Sequence, residues 1–261
     1  MNARVVASAR GLRWLGEGWR MFRVSPLGWL ALVFGYWFAM TVLGLVPVLG
    51  LPAASILVPV FSVGFMAASR AASRGQPVEL AMLFAGFRER LPAQLALGAV
   101  YLVCLVVVIG GSALADDGVL ARWLLTGERP SEAAQQSEQF LGAMAVSAAL
   151  YAPVMMMFWF APLLVAWHGM APPQALFYSF FAGLLNWRAF LAYGAAVAFV
   201  MFVLPTLVLT VLLFVSGGAM RVQPMALVLP LLLVMLPSLF ASFFASYRDV
   251  FAVPEAAEPP A

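Results

Sequence analysis

A chain of 261 residues that is 64% hydrophobic and only 10% charged lacks the polar surface of a soluble domain and has the composition of a helix bundle that uses lipid as its solvent. Its net charge is +3 and its pI near 9.4, but the arginines that supply the positive charge stand beside apolar stretches rather than in one basic stripe, which argues against a nucleic-acid partner. Cys104 is the only cysteine, so an internal disulfide and a cysteine-based zinc site are excluded.

In chain order, residues 1–25 read as an amphipathic cytoplasmic segment. On a helix Arg10, Arg13, Glu17 and Arg20 share a polar arc, with Leu12, Leu15, Trp19 and Phe22 opposite, the pattern of a helix lying along lipid headgroups. The first apolar run is full length and soon followed by another, so it reads as a retained span rather than a cleaved signal. Six charge-free stretches follow: Leu27 to Val46, Pro52 to Ala68, Pro92 to Leu114, Phe140 to Trp167, Ala189 to Val215 and Val222 to Ser246. About twenty residues cross a hydrocarbon core of about 30 Å. No stretch alternates as a barrel strand would, so the backbone must satisfy itself in helices.

The expected fold is therefore all-α: one integral membrane domain over 1–261, with six transmembrane helices in three hairpins. An amphipathic interfacial helix precedes each hairpin. Phe84-Ala85-Gly86-Phe87 ahead of the third stretch recurs as Phe181-Ala182-Gly183-Leu184 ahead of the fifth, which supports a threefold unit. In the second lead-in Leu80, Phe84, Phe87 and Leu91 share one arc at α-helical spacing, and in the third Leu176, Phe180, Leu184 and Trp187 do. Between the fourth stretch and the long loop before it, Pro130-Ser131-Glu132 reads as a helix start with Ser131 as N-cap, extending the fourth helix outward. The Pro- and Glu-rich tail 252–261 reads as disordered.

The arginines orient this topology. Arg4, Arg10, Arg13, Arg20, Arg23, Arg70, Arg74, Arg88, Arg90, Arg188 and Arg248 fall on one side, and Arg122, Arg129 and Arg221 on the other. That asymmetry puts both termini in the cytoplasm of a bacterial inner membrane. Within this set Arg10, Arg13, Arg20, Arg88 and Arg90 are the candidates for holding anionic lipid, each worth about 1 kcal/mol at a charged surface. Ser238, Ser242 and Ser246 recur every four residues and form a helix-packing stripe.

Other chemistry finds little support. Consecutive Met155, Met156 and Met157 point about 100° apart and cannot converge on one copper ion. His168 stands alone, and the adjacent Asp116 and Asp117 read as a solvated turn rather than a cation site. No span contains an ionisable group to serve as a proton relay, and no nucleophile stands with a base. No catalytic residue, cofactor or metal is expected.

The chain resembles a family of uncharacterised bacterial six-span inner-membrane proteins, distantly similar to the membrane domains beside some glycerophosphodiester phosphodiesterases. The residues that carry the resemblance are Gly18-Trp19 with Phe22, Pro26 and Trp29; Gly64-Phe65-Met66-Ala67-Ala68 leading to Arg70; Phe84-Ala85-Gly86-Phe87-Arg88; and Ser246-Tyr247-Arg248-Asp249-Val250-Phe251. It implies a fold and a location, transfers no catalytic residue, and comes without the phosphodiesterase catalytic domain. The functional expectation is a non-enzymatic membrane protein that organises lipid or partner proteins. Its partners would be the bilayer, anionic lipid, and a membrane protein or a second copy of itself. The alternative is a small-molecule or lipid transporter or a transport accessory subunit.

Overall fold

A computed structural model of the chain describes residues 3–215 and 224–251. Arg221, the first residues of the sixth apolar stretch and the tail 252–261 lie outside the described residues. Every regular element among those described is helical. In order they are α1 (Ala9–Val24), α2 (Pro26–Gly44), α3 (Gly50–Ser73), a 3₁₀ helix (Leu80–Phe87), α4 (Leu91–Asp116), α5 (Val119–Thr126), α6 (Glu132–Gln135), α7 (Glu138–His168), α8 (Pro172–Leu185), α9 (Trp187–Ala198), a π-helical turn (Phe199–Val203), α10 (Leu204–Val215) and α11 (Pro224–Phe251). Five of these helical runs are long and apolar enough to cross a membrane: α2, α3, α4, α7 and the continuous stretch Trp187–Val215. The π turn in that last stretch ends two residues before Pro205, whose ring clashes with the preceding turn of a regular α-helix.

The contacts divide the chain into two compact units: residues 1–42, 61–88 and 182–261, and residues 43–60 and 89–181. The first unit is built from glycine contacts. A Cβ at Gly11 would strike the Ala189 carbonyl oxygen, one at Gly18 the Ser238 carbonyl oxygen, and one at Gly28 the Val78 carbonyl oxygen. Only the missing side chain lets these backbones approach, the device that replaces hydrophobic packing where lipid tails are as apolar as leucine. Trp29 is fully buried beside one such contact, and its indole N–H donates to the Met21 carbonyl at 3.1 Å. Phe65 and Phe240 stack with ring centroids 4.0 Å apart, and Tyr36 meets both edge-on.

The second lead-in is a 3₁₀ helix rather than an α-helix, and this changes which side chains face inward. In a 3₁₀ helix residues three apart line up, so Leu83 and Gly86 are buried while Phe84 is half-exposed. Gly64 of α3 accepts the close pass, since a Cβ there would strike the Leu83 carbonyl. Leu91, placed on the same arc by α-helical spacing, opens α4 instead.

In the second unit α4 and α7 run side by side. Gln94, fully buried, donates through Nε2 to the Pro162 carbonyl at 2.8 Å, Tyr101 and Tyr151 share a hydrogen bond of 3.0 Å, and Gly98 lies against the Ile56 carbonyl. At the far end the Asp116 carboxylate accepts from the Gly118 and Leu120 amides at 3.1 and 2.7 Å. Asp116 thus caps α5, which packs Leu120 against Phe140 and Ala143. Ser131 is an N-cap, accepting from the Ala134 amide at 3.2 Å, but it caps only the single turn of α6. The long helix has its own cap, Ser137, which accepts from Phe140 at 3.2 Å.

Ser179 of α8 bridges one rung of the hydrogen-bond ladder of α7. Its hydroxyl accepts from the Phe160 amide at 2.9 Å and donates to the Met156 carbonyl at 2.7 Å, standing between two groups that an α-helix joins directly. The bridged turn lies between Pro153 and Pro162. Ser179→Ala is expected to cost about 1–2 kcal/mol, because a buried donor and acceptor lose their partner. Faster amide exchange at Phe160 is the readout, and unchanged exchange would mean that α7 closes the turn by itself.

Candidate functional site: a buried ion cluster and the cleft beside it

The first unit gathers charge where α1 meets the end of α11. α1 buries the face formed by Gly11, Trp14, Glu17, Gly18, Met21 and Phe22, and packs on α9 and α11. The reading of α1 as a helix resting on headgroups is therefore corrected on one face. Glu17, on the arc taken as solvent-facing, is only 8% exposed, because the polar arc turns toward α11 and finds partners there.

Asp249 is the first of those partners. Its Oδ2 accepts from Arg10 Nε at 2.6 Å and from the Trp14 indole at 2.7 Å, with Arg10 Nη2 2.5 Å away. Glu17 holds the rest of the cluster. Its Oε1 lies 3.0 Å from Arg10 and 4.0 Å from Arg20, and its Oε2 lies 2.5 Å from Arg248. Burial works against the charge on Arg10, yet the hydrogen bond and charge of Asp249, and then Glu17, outweigh it and hold the guanidinium above its ordinary pKa. A raised pKa on a cation means that its stabilisation is present at every pH below the ordinary value and is lost only above it. The cluster therefore does not open on the alkaline side of any working pH.

Trp14 joins this cluster to the serine stripe. Its ring is fully buried between Phe190 at 5.3 Å and Tyr193 at 6.0 Å, and the Tyr193 hydroxyl hydrogen-bonds Ser242 at 2.7 Å. Ser238, Ser242 and Ser246 are all buried. Each also donates back to its own helix, to Val234, Leu239 and Phe243. Gly18 of α1 lies directly over Ser238 and Ser242.

A cleft of about 440 Å³ opens beside Glu17, lined by Arg20, Arg248, Met21, Val24, Ala72 and Ser73. Of the five candidate arginines, Arg10 is taken up by the cluster and Arg20 lines this cleft. Arg13 and Arg88 are exposed and outside the cluster. Arg90, in the second unit, adopts the left-handed conformation at φ 54°. Its guanidinium lies over Gly169, which caps the C-terminus of α7, where a cation meets the negative end of the helix dipole.

Sequence reasoning missed Glu17, Trp14, Asp249 and Asn186. The available signal was charge bookkeeping, since Glu17 is the one carboxylate among the arginines of α1 and Asp249 is the one carboxylate of α11. Asn186 is nearly fully buried and ties down the N-terminal segment. Its Oδ1 accepts from Val6 at 2.8 Å and its Nδ2 donates to the Arg4 carbonyl at 2.9 Å, while the Arg4 amide donates to the Val250 carbonyl at 2.8 Å.

No protein-family model and no solved structure matches the chain. The chain is 37% identical over 260 residues to a probable inner membrane protein of Burkholderia thailandensis, a match covering 97% of this chain and 95% of the relative. With an all-helical fold, several helices long enough to span and a near full-length likeness of this strength, the chain belongs to the family of that inner membrane protein.

Proposed function

We propose that this chain is a non-enzymatic, six-span inner-membrane protein with both termini in the cytoplasm, which organises lipid at the cytoplasmic face. The observation that carries the reading is the clamp of α1 and the N-terminal segment on the end of α11. The direct bond from Arg4 to Val250 requires an even number of crossings between them. Five helical runs qualify as spans before α11, and we read the 28-residue α11 as the sixth. The contact between Arg90 and Gly169 in the second unit agrees, since two spans separate them. All these junctions fall where the arginines concentrate, the side that retains positive charge.

The three-hairpin arrangement and the likeness to phosphodiesterase membrane domains belong to this same proposal. A transport role is the second reading, and it rests on the Ser179 bridge within the proline-bearing stretch of α7 and on the Gln94 Oε1 and Ser147 Oγ atoms, which are buried without a hydrogen-bond partner.

Single cysteines in a Cys104→Ser background test the topology. Gln76→Cys and Ala171→Cys are expected to stay protected from an impermeant maleimide in intact cells, and Leu45→Cys and Glu128→Cys to react. The reverse pattern would overturn the orientation. Native mass spectrometry from mild detergent then tests the lipid role, with retained phospholipid as the expected result and a lipid-free chain as the result against it.

A further inference from the structure

We infer that the cleft between α1, the end of α3 and the end of α11 is a binding site for the singly charged phosphodiester headgroup of a membrane phospholipid, an inference that rests on the lipid-organising reading above. Charge decides the ligand class. Asp249 answers Arg10, which leaves Arg20 and Arg248 facing the cleft against one carboxylate, Glu17. Both Glu17 oxygens already meet guanidinium groups, and Arg20 stands 4.0 Å off with its side chain 67% exposed. The surplus is one positive charge on an exposed guanidinium that lines the cleft. A phosphodiester supplies one negative charge and acceptor oxygens that fit a guanidinium fork. A doubly charged phosphomonoester would exceed the surplus and would sit beside the Glu17 carboxylate.

The rest of the lining selects a lipid over a soluble phosphodiester. Met21, Val24 and Ala72 give the cleft an apolar wall, suited to a glycerol backbone and the first acyl carbons. On the same helix Leu12, Trp19 and Val24 are exposed, and Arg23 lies over the Trp19 ring at 5.9 Å. That is an aromatic and cationic edge of the kind that sits at headgroup depth. Lipid thus reaches the cleft from the side, with its phosphate meeting Arg20 and Arg248 at the mouth.

The test uses full-length protein in nanodiscs of phosphatidylcholine doped with phosphatidylglycerol, with the bound lipid counted by native mass spectrometry. Arg20→Gln is expected to reduce retained phosphatidylglycerol about tenfold, the loss of one charge-assisted contact. Ser73→Phe, which fills the cleft and removes no charge, is expected to do the same. Arg13→Gln removes an arginine from the same helix outside the cleft and is expected to leave retention unchanged. Equal losses in Arg13→Gln and Arg20→Gln would reduce the effect to general surface charge and overturn the inference. Retention undisturbed in Arg20→Gln and Ser73→Phe would overturn the cleft while leaving the lipid-organising reading standing, whereas a wild-type chain that retains no lipid would remove both. Displacement of the lipid by a soluble phosphodiester, glycerophosphoglycerol, at low concentration would assign the site to a free phosphodiester and overturn the lipid assignment.

Discussion

Glu17→Gln is expected to cost about 3 kcal/mol, read as a large fall in the thermal midpoint in mild detergent. The side chain is nearly buried and its two oxygens serve Arg10 and Arg248 separately. A neutral amide there leaves the Arg248 guanidinium without its carboxylate and crowds Arg10 with a group that no longer offsets its charge. Solvent screening at half-exposed Arg248 keeps the cost near the lower end of what a broken buried pair produces. Arg13→Gln on the same helix is the matched control and should stay within about 0.5 kcal/mol of wild type. Similar midpoints for the two variants would mean that the cluster is incidental and that α1 is held by packing alone.

Gly18→Ala is expected to destabilise by about 3 kcal/mol, an unusually large effect for adding one methyl group. The new Cβ would strike the Ser238 carbonyl oxygen and come within 2.9 Å of the Ser242 backbone nitrogen and Cβ. Backbone cannot rotate aside as a flexible side chain can, so α1 has to lift from α11. Gly98→Ala makes the corresponding demand on the Ile56 carbonyl in the second unit. Gly16→Ala supplies the contrast, because nothing lies within 4 Å of its added Cβ. It should gain up to about 1 kcal/mol from helix propensity. A Gly18→Ala variant as stable as Gly16→Ala would show that the contact yields without cost.

Five of the six expected stretches, those that form helices long and apolar enough to span among the described residues, were legible in the sequence because lipid punishes charge evenly over about twenty residues, a signal that needs no knowledge of neighbours. What each helix buries was not legible, because inside a bilayer the apolar face is not the inward one. α8 makes the point. The arc of Leu176, Phe180, Leu184 and Trp187 draws the eye, yet the helix buries Ala175, Ser179 and Ala182, and Asn186 follows them inward. Phe177, Phe181 and Leu184 are left outside. Reading that face for small and polar residues instead of large apolar ones would have found Ser179 and Asn186. The ion cluster was harder, since Glu17 and Asp249 meet only through the tertiary fold. The 3₁₀ lead-in was hidden for a different reason, as the spacing of Leu80, Phe84 and Phe87 fits an α-helix and nothing local rules it out.

The unit that contains α1 draws on the first and last parts of the chain, and this sets an order for its biogenesis. A ribosome adding about 5–20 residues per second releases Trp14 and Glu17 on the order of tens of seconds before Asp249 and Arg248. The unit made of residues 43–60 and 89–181 has all of its chain in hand earlier. Until α11 is made, α1 can rest on α9, but Trp14 lacks Asp249 and Glu17 lacks Arg248. The buried charges of α1 are therefore the last in this unit to find their partners, and they find them only when the end of α11 arrives.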